Sequence, residues 1–333
     1  MKVKIKYLII FLIVISTQNI YAIRKVKVSF KNRDITLAGT LYIPKGDGLF
    51  PAVIFVHGSG PETRNNSSYS AKWLASLGYV VLIYDKRGTG ESDGDKKTIS
   101  RFSFDNLAND VVSGVNFLSK REKVDKKKIG IHAASQGGWV AALATSKTNL
   151  ISFMIVKAAS VTTVEEDRIF ERSSRLREEG FLEKEILEVK EMQLVEAKTV
   201  ARDKQPDSFT RLFEENKNKA WFKRVYTYTN PFDPELVYYR KWYTTIANFN
   251  PISYLEQIKI PIFWIFGDSN LDKLGPIEQS ISNLERLKQE GKPYTIVQYK
   301  GEGHNIKEKK YEHRLYQWLC KINDYHTYKF KRH

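Results

Sequence analysis

Five short apolar runs, each followed by a stretch with helical or turn character, restrict this chain more than anything else in it. They are Ala52-Val53-Ile54-Phe55-Val56, Tyr79-Val80-Val81-Leu82-Ile83-Tyr84, Lys128-Ile129-Gly130-Ile131, Phe153-Met154-Ile155-Val156 and the run 260–267 ending at Gly267. Continuous rather than alternating apolarity is expected of parallel strands buried on both faces. Between the first two runs, Ala71 to Leu77 has helical spacing and stops at Gly78, which suits a helix C-terminus. Phe104 to Leu118 sets Leu107, Val111, Val115 and Leu118 on one side of a second amphipathic helix. Strands and helices alternating in this way predict an open, mostly parallel, doubly wound sheet, with any site at the carboxyl ends of its strands. Ahead of it, Val26 to Phe30 and Ile35 to Pro44 alternate around the polar turn Lys31 to Asp34, an antiparallel hairpin. Behind it, a helix from Ile277 to Gln289, a strand from Tyr294 to Tyr299 and a helix from Tyr311 to Ile322 complete the set.

The 333 residues suffice for one large α/β domain with an insertion, or for two modest domains. With 42% hydrophobic and 13% aromatic residues the chain is globular, not disordered. Strands vanish between residues 161 and 250, where charged helix-forming sequence such as Glu183-Lys184-Glu185-Ile186-Leu187-Glu188 takes over. The organisation read from this is a core in two parts, 23–160 and 251–333, split by a helical cap insertion at 161–250. The aromatic stretches Trp221 to Tyr228 and Tyr238 to Tyr243 have two readings: they cover a site as a lid, or they pack the insertion onto the main domain.

Residues 1–22 have a basic start, an apolar run from Tyr7 to Ile15 too short to span a bilayer comfortably, and Ala22 as a cleavage position. This is the layout of a signal peptide, which predicts an exported protein, periplasmic or secreted; an uncleaved N-terminal anchor is the alternative. Cys320, the one cysteine, has no partner for an internal disulfide and excludes a cysteine-based zinc site. The formal charge of +16 includes three lysines of the first six residues. Basic and acidic residues are interleaved, no helix carries a clean basic stripe, and nucleic acid is not an expected partner. Weak attraction to an anionic envelope surface is the milder expectation.

Chemistry enters at Gly130-Ile131-His132-Ala133-Ala134-Ser135-Gln136-Gly137-Gly138, which reads as a strand, a sharp turn and a helix with Ser135 at the tip. Such a turn strains the serine backbone and demands tiny residues two before and two after it, here Ala133 and Gly137. The amide of Gln136 is then placed to stabilise an oxyanion, and the loop His57-Gly58-Ser59-Gly60-Pro61 can aim the amide of Ser59 at the same point. A serine nucleophile needs a base, and the base an orienting acid. Of six histidines, His304 in Gly301-Glu302-Gly303-His304-Asn305 is the candidate base. His132 reads as core-packed and His57 as support for its loop. The loop 267–276 offers two acids, Asp268 and Asp272.

Together with Tyr84-Asp85-Lys86-Arg87-Gly88-Thr89-Gly90-Glu91-Ser92, these stretches resemble serine hydrolases of the α/β-hydrolase superfamily, in particular secreted bacterial esterases and serine-aminopeptidase-like hydrolases. The resemblance implies the α/β-hydrolase fold. It implies an acid three residues after the strand-ending glycine, where this chain has Asn270, and four before a proline, where it has Asp272. A two-residue insertion reconciles the two rules, so Asp272 is preferred and Asp268 is the alternative; Asp85 and Arg87 are expected to be structural. The implied activity is hydrolysis of carboxylic esters with small or medium acyl groups through a Ser135-His304-Asp272 triad and an acyl-enzyme, with no metal or organic cofactor. A serine aminopeptidase-like peptidase or amidase is the alternative, with Glu165, Glu166 and Asp167 available to hold a substrate ammonium. A non-catalytic binding protein on the same fold is the second alternative, favoured by the displaced acid.

Overall fold

The computed structural model describes residues 23–95, 103–200, 207–226, Tyr243, Ile246 and 249–323. The segment read as a signal peptide and the aromatic residues Tyr228, Tyr238, Tyr239 and Trp242 lie outside the described residues. Eight strands form one sheet: β1 (Ile23–Asn32), β2 (Ile35–Pro44), β3 (Phe50–Val56), β4 (Val80–Tyr84), β5 (Val124–Ala134), β6 (Ile151–Lys157), β7 (Ile262–Phe266) and β8 (Tyr294–Gln298). Their spatial order is β1-β2-β4-β3-β5-β6-β7-β8. The pairs β1/β2 and β2/β4 are antiparallel and all others parallel. The opening hairpin turns on Arg33-Asp34 rather than on four residues, because Arg33 takes a φ of 52° and closes the turn within two.

The central strands β3, β4 and β7 are buried along their whole length, as their unbroken apolarity requires. Alternate residues serve opposite faces. Ile54, Val56, Leu82, Ile131, Met154 and Trp264 belong to one core, and Val53, Phe55, Val81, Ile83, Ile155 and Ile265 to the other. The first core is closed by α2 (Phe104–Ser119), α3 (Gly137–Ser146) and α9 (Ile277–Gln289). The second is closed by α1 (Ser68–Ser76) and α10 (Glu308–Ile322). Helices on both faces of a mostly parallel sheet make the doubly wound architecture, and the crossovers leave the carboxyl ends of β3 to β8 on a common edge.

Between β6 and β7 the chain forms α4 (Val164–Glu178), α5 (Glu183–Val200), α6 (Asp207–Asn216) and α7 (Phe222–Val225), followed by α8 (Pro251–Leu255). α4 starts on a reciprocal capping box, Thr163 with Glu166. Leu176, Ile186, Val189, Met192, Phe209 and Phe213 form a third core together with Trp221, Phe222 and Tyr226. These aromatics are buried within the insertion itself, neither exposed over a site nor packed onto the sheet. Tyr243 and Ile246 do join the main core, and the Arg168 guanidinium lies 4.2 Å from the Tyr243 ring centre.

Candidate active site

Ser135 stands between β5 and α3 with a φ of 51°, in the left-handed region that a side chain with a Cβ avoids. Holding it costs about 1–3 kcal/mol, which the surrounding packing must offset. Its N–H donates to the Lys157 carbonyl at 2.9 Å, and its own carbonyl accepts from Gly138 at 2.8 Å. A Cβ on Gly137 would sit 2.7 Å from the carbonyl oxygens of Val56 and His57, and one on Gly138 2.4 Å from the Ala159 methyl. Both glycines are therefore required by close approach of α3 to β3 and β6. Ala133 is fully buried and fills the position for which only a small residue is tolerated.

His304 and Asp272 come from neighbouring loops after β8 and β7. The imidazole Nδ1 lies 3.1 Å from both carboxylate oxygens of Asp272. That carboxylate is completely buried, and one of its oxygens also accepts from the Leu274 amide at 3.1 Å. Asp268 does not face His304. Its oxygens accept from the amides of Asn270 at 3.0 Å and Gly301 at 3.2 Å, and these two bonds hold its carboxyl below the usual range. Asp268 thus ties the acid loop to the histidine loop. Gly267 lets them meet, since a Cβ there would lie 2.5 Å from the carbonyls of Glu302 and Gly303. Ser135 and His304 line the same cleft, with no hydrogen bond between them. Such bonds commonly tighten only when substrate is bound.

The backbone N–H groups of Ser59 and Gln136 donate to no acceptor among the described residues, although both residues line the cleft. The other residues singled out by sequence are structural. His57 Nε2 lies 2.5 Å from the Tyr84 carbonyl. Asp85 accepts from the amides of Arg64 and Glu91. Arg87 forms a two-pronged ion pair with Asp110. His132 stacks on Phe55, its ring centre 4.5 Å away, and burial drives it down to about 3, so it is neutral.

The cleft has two lobes that share Ser59, Ser135, Ala158, Leu274 and His304. One, of about 300 Å³, is walled by Phe104, Trp139, Val164 and Ile246 and carries Asp167, Arg168 and Glu171 from α4. The other, of about 410 Å³, is more polar and reaches His132, Lys157, Asn305 and Glu308. Of the three acids singled out by sequence, Asp167 alone lines the cleft; Glu166 is spent in the cap of α4. Burial raises the Asp167 carboxyl to about 7 against the hydrogen bond it accepts from Ser160, and nearby Glu171 adds to the rise. Glu171 escaped sequence reasoning, although it sits one helical turn after Asp167 on a helix already suspected of facing a site. Lys86 escaped it too, being one more charge in a loop. Among the described residues no three histidine, cysteine, aspartate or glutamate side chains gather as a metal site.

This sheet order, with a strained serine after β5 and a histidine after β8, defines a hydrolase scaffold. Residues 51–311 match the alpha/beta hydrolase fold family, and the chain belongs to that family. Esterase EstD of Thermotoga maritima is 36% identical over 109 residues, which are 29% of this chain and 26% of that protein. Human dipeptidyl peptidase 8 is 31% identical over 139 residues, 38% of this chain and 15% of the peptidase. The first four curated relatives are matched over only 15% to 29% of their length. Among solved structures, the alpha/beta hydrolase GrgF from Penicillium sp. sh18 has a TM-score of 0.60 at 19% identity, covering 91% of this chain and 100% of that one.

Proposed function

We propose that the chain is a serine hydrolase that cleaves carboxylic esters of small or medium acyl groups through a Ser135-His304-Asp272 triad. The observation that carries this reading is the His304 imidazole held by a fully buried carboxylate, on the same cleft as a serine in left-handed conformation and two unengaged amides. His304 takes the Ser135 proton through Nε2 as the serine oxygen attacks the acyl carbonyl, and Asp272 fixes the tautomer that leaves Nε2 free to do so. The amides of Ser59 and Gln136 hold the oxyanion, each contributing a factor of about 10² to 10³ in rate. The imidazolium then protonates the leaving alcohol. Water activated by His304 releases the acid from the acyl-enzyme, and none of these steps calls on a cofactor.

A fluorophosphonate probe tests the reading directly. Wild-type protein is expected to label and Ser135→Ala is not; a wild type that takes no label is a binding protein on a hydrolase fold. Peptide or amide cleavage is the second reading, favoured by Asp167 and Glu171 in the cleft, where carboxylates would receive a substrate ammonium. Rates on short acyl p-nitrophenyl esters against aminoacyl anilides separate the two. The position of α4 on the cleft wall supports reading 161–250 as a cap. Residues 1–22 are proposed to direct export, with the protein periplasmic or secreted; a mature N-terminus at Ile23 checks this, and an intact one in the membrane fraction supports the anchor instead.

A further inference from the structure

Just beyond β4 an ammonium group is buried where the sheet edge meets the loop Gly58-Ser59-Gly60. Lys86 is 3% exposed. Its Nζ donates to the carbonyl of Gly58 at 2.7 Å and to that of Gly60 at 3.1 Å, and reaches the side-chain oxygen of Gln136 at 3.4 Å. Its own amide donates to the Glu62 carbonyl at 3.1 Å, which ties the end of β4 to the same loop. Burying a lysine is expensive unless its donors are satisfied, and here backbone carbonyls satisfy them.

Those carbonyls decide which way the loop faces. A trans peptide is planar, so its C=O and N–H point to opposite sides. With the Gly58 carbonyl turned onto Lys86, the N–H of Ser59 is turned the other way. Gly58 also abuts the nucleophile, for a Cβ on it would lie 3.4 Å from the Ser135 Cβ. Gly60 has a φ of 76°, and glycine at position 58 leaves one of the two torsions about the Gly58-Ser59 peptide with little intrinsic resistance to flipping. A flip would present a carbonyl where the developing oxyanion needs a donor.

We propose that Lys86 is the positioning residue of the oxyanion hole, holding the Gly58 and Gly60 carbonyls from behind so that the Ser59 amide stays aimed at the point the Gln136 amide serves. The inference rests on the serine-hydrolase reading. Bonds from a charged donor are roughly twice as strong as neutral ones, so the hold weakens when Lys86 loses its proton. Burial lowers Lys86 to about 8, opposed by the Glu62 carboxylate from the loop after β3. The Glu62 carboxylate itself lies 3.4 Å from His57 Nδ1. The flanking charges are committed elsewhere, Asp85 to Arg64 and Glu91 and Arg87 to Asp110. From α3, Gln136 faces Lys86 without charge.

The test compares wild type, Lys86→Met and Lys86→Arg on a short p-nitrophenyl ester, with active sites counted by exhaustive fluorophosphonate labelling. It is paired with inhibition by a trifluoromethyl ketone, which binds as an oxyanion adduct. Lys86→Met is expected to lower kcat per titrated site by about 10²-fold and to weaken the ketone by a similar factor, with KM within about twofold. Lys86→Arg is expected to recover part of both losses. Wild-type kcat and ketone affinity are expected to fall above pH 8, and the arginine variant to lack that fall. Unchanged kcat per site and unchanged ketone affinity in Lys86→Met would overturn the inference while leaving the triad reading intact. If Lys86→Met does not fold, the wild-type ketone affinity decides alone, and a flat profile from pH 7 to 9.5 overturns the inference. A wild type that takes no fluorophosphonate overturns the triad reading and this inference with it.

Discussion

An imidazole that serves as a base needs one carboxylate to orient it, and this chain keeps two within a single loop. Asp272 faces His304 Nδ1, while Asp268 accepts from the amides of Asn270 and Gly301. Asp272→Asn preserves shape but favours the wrong tautomer, so kcat/KM on an ester is expected to fall about 10⁴-fold. Asp268→Asn weakens the tie between the loops without touching the ring, and about tenfold or less is expected. Equal and mild losses in both would sink the assignment. Lys86 adds a pH effect with a definite sign. Its folded value of about 8 lies below the ordinary 10.5, so between these pH values the unfolded chain binds more protons and stability rises with pH. Urea midpoints are therefore expected to climb from pH 8 to 10 even as activity declines, and Lys86→Met should lose that slope. Ser135 and His304 were legible because turn sterics and flanking glycines leave a mark in sequence. The acid was not legible from the residues alone, only through the family resemblance that preferred Asp272, since a coil loop has no period and the bond from Gly301 to Asp268 spans 33 residues. Nor was Lys86, because whether a charge after a strand is solvated or buried depends on a loop folded over it.

At the scale of elements, burial on both faces wrote the sheet into the sequence, and β3, β4 and β7 lie where unbroken apolar runs predict. The insertion was legible only as helices. A single helix pattern says which side is apolar and not what it meets, so Trp221 and Phe222 read as lid or docking surface when they are the centre of a separate small core. Trp221 is fully buried, and its indole N–H donates to Glu188 at 2.9 Å. Trp221→Ala is expected to cost that core about 3–5 kcal/mol. Because this core is distinct from the two that flank the sheet, the loss should stay local. Hydrogen exchange is expected to speed up in α5 to α7 while β3 to β7 keep their protection. Equal loss of protection in the sheet would show the insertion to be part of one cooperative unit.

For the whole molecule the dominant long-range property is the excess of positive charge, +16 over 333 residues, legible from composition alone. Local pairing does not remove it. Exposed pairs such as Arg286 with Glu290 and Lys288 with Glu285 join equal and opposite charges and are each worth about 0–1 kcal/mol. The surplus remains as a diffuse field, and a diffuse field attracts any anionic surface without needing a built site. The range of that attraction is set by salt, roughly 10 Å at 0.1 M and 3 Å at 1 M. Vesicles rich in an anionic phospholipid are therefore expected to sediment the protein at low ionic strength and to release it as sodium chloride approaches about 0.5 M. Neutral vesicles should sediment little of it, and Ser135→Ala should behave as wild type, since the field owes nothing to the cleft. Retention at 1 M salt would replace the field with apolar insertion into the bilayer, to which the exposed Leu182 and Leu187 at the start of α5 would be the first residues to test.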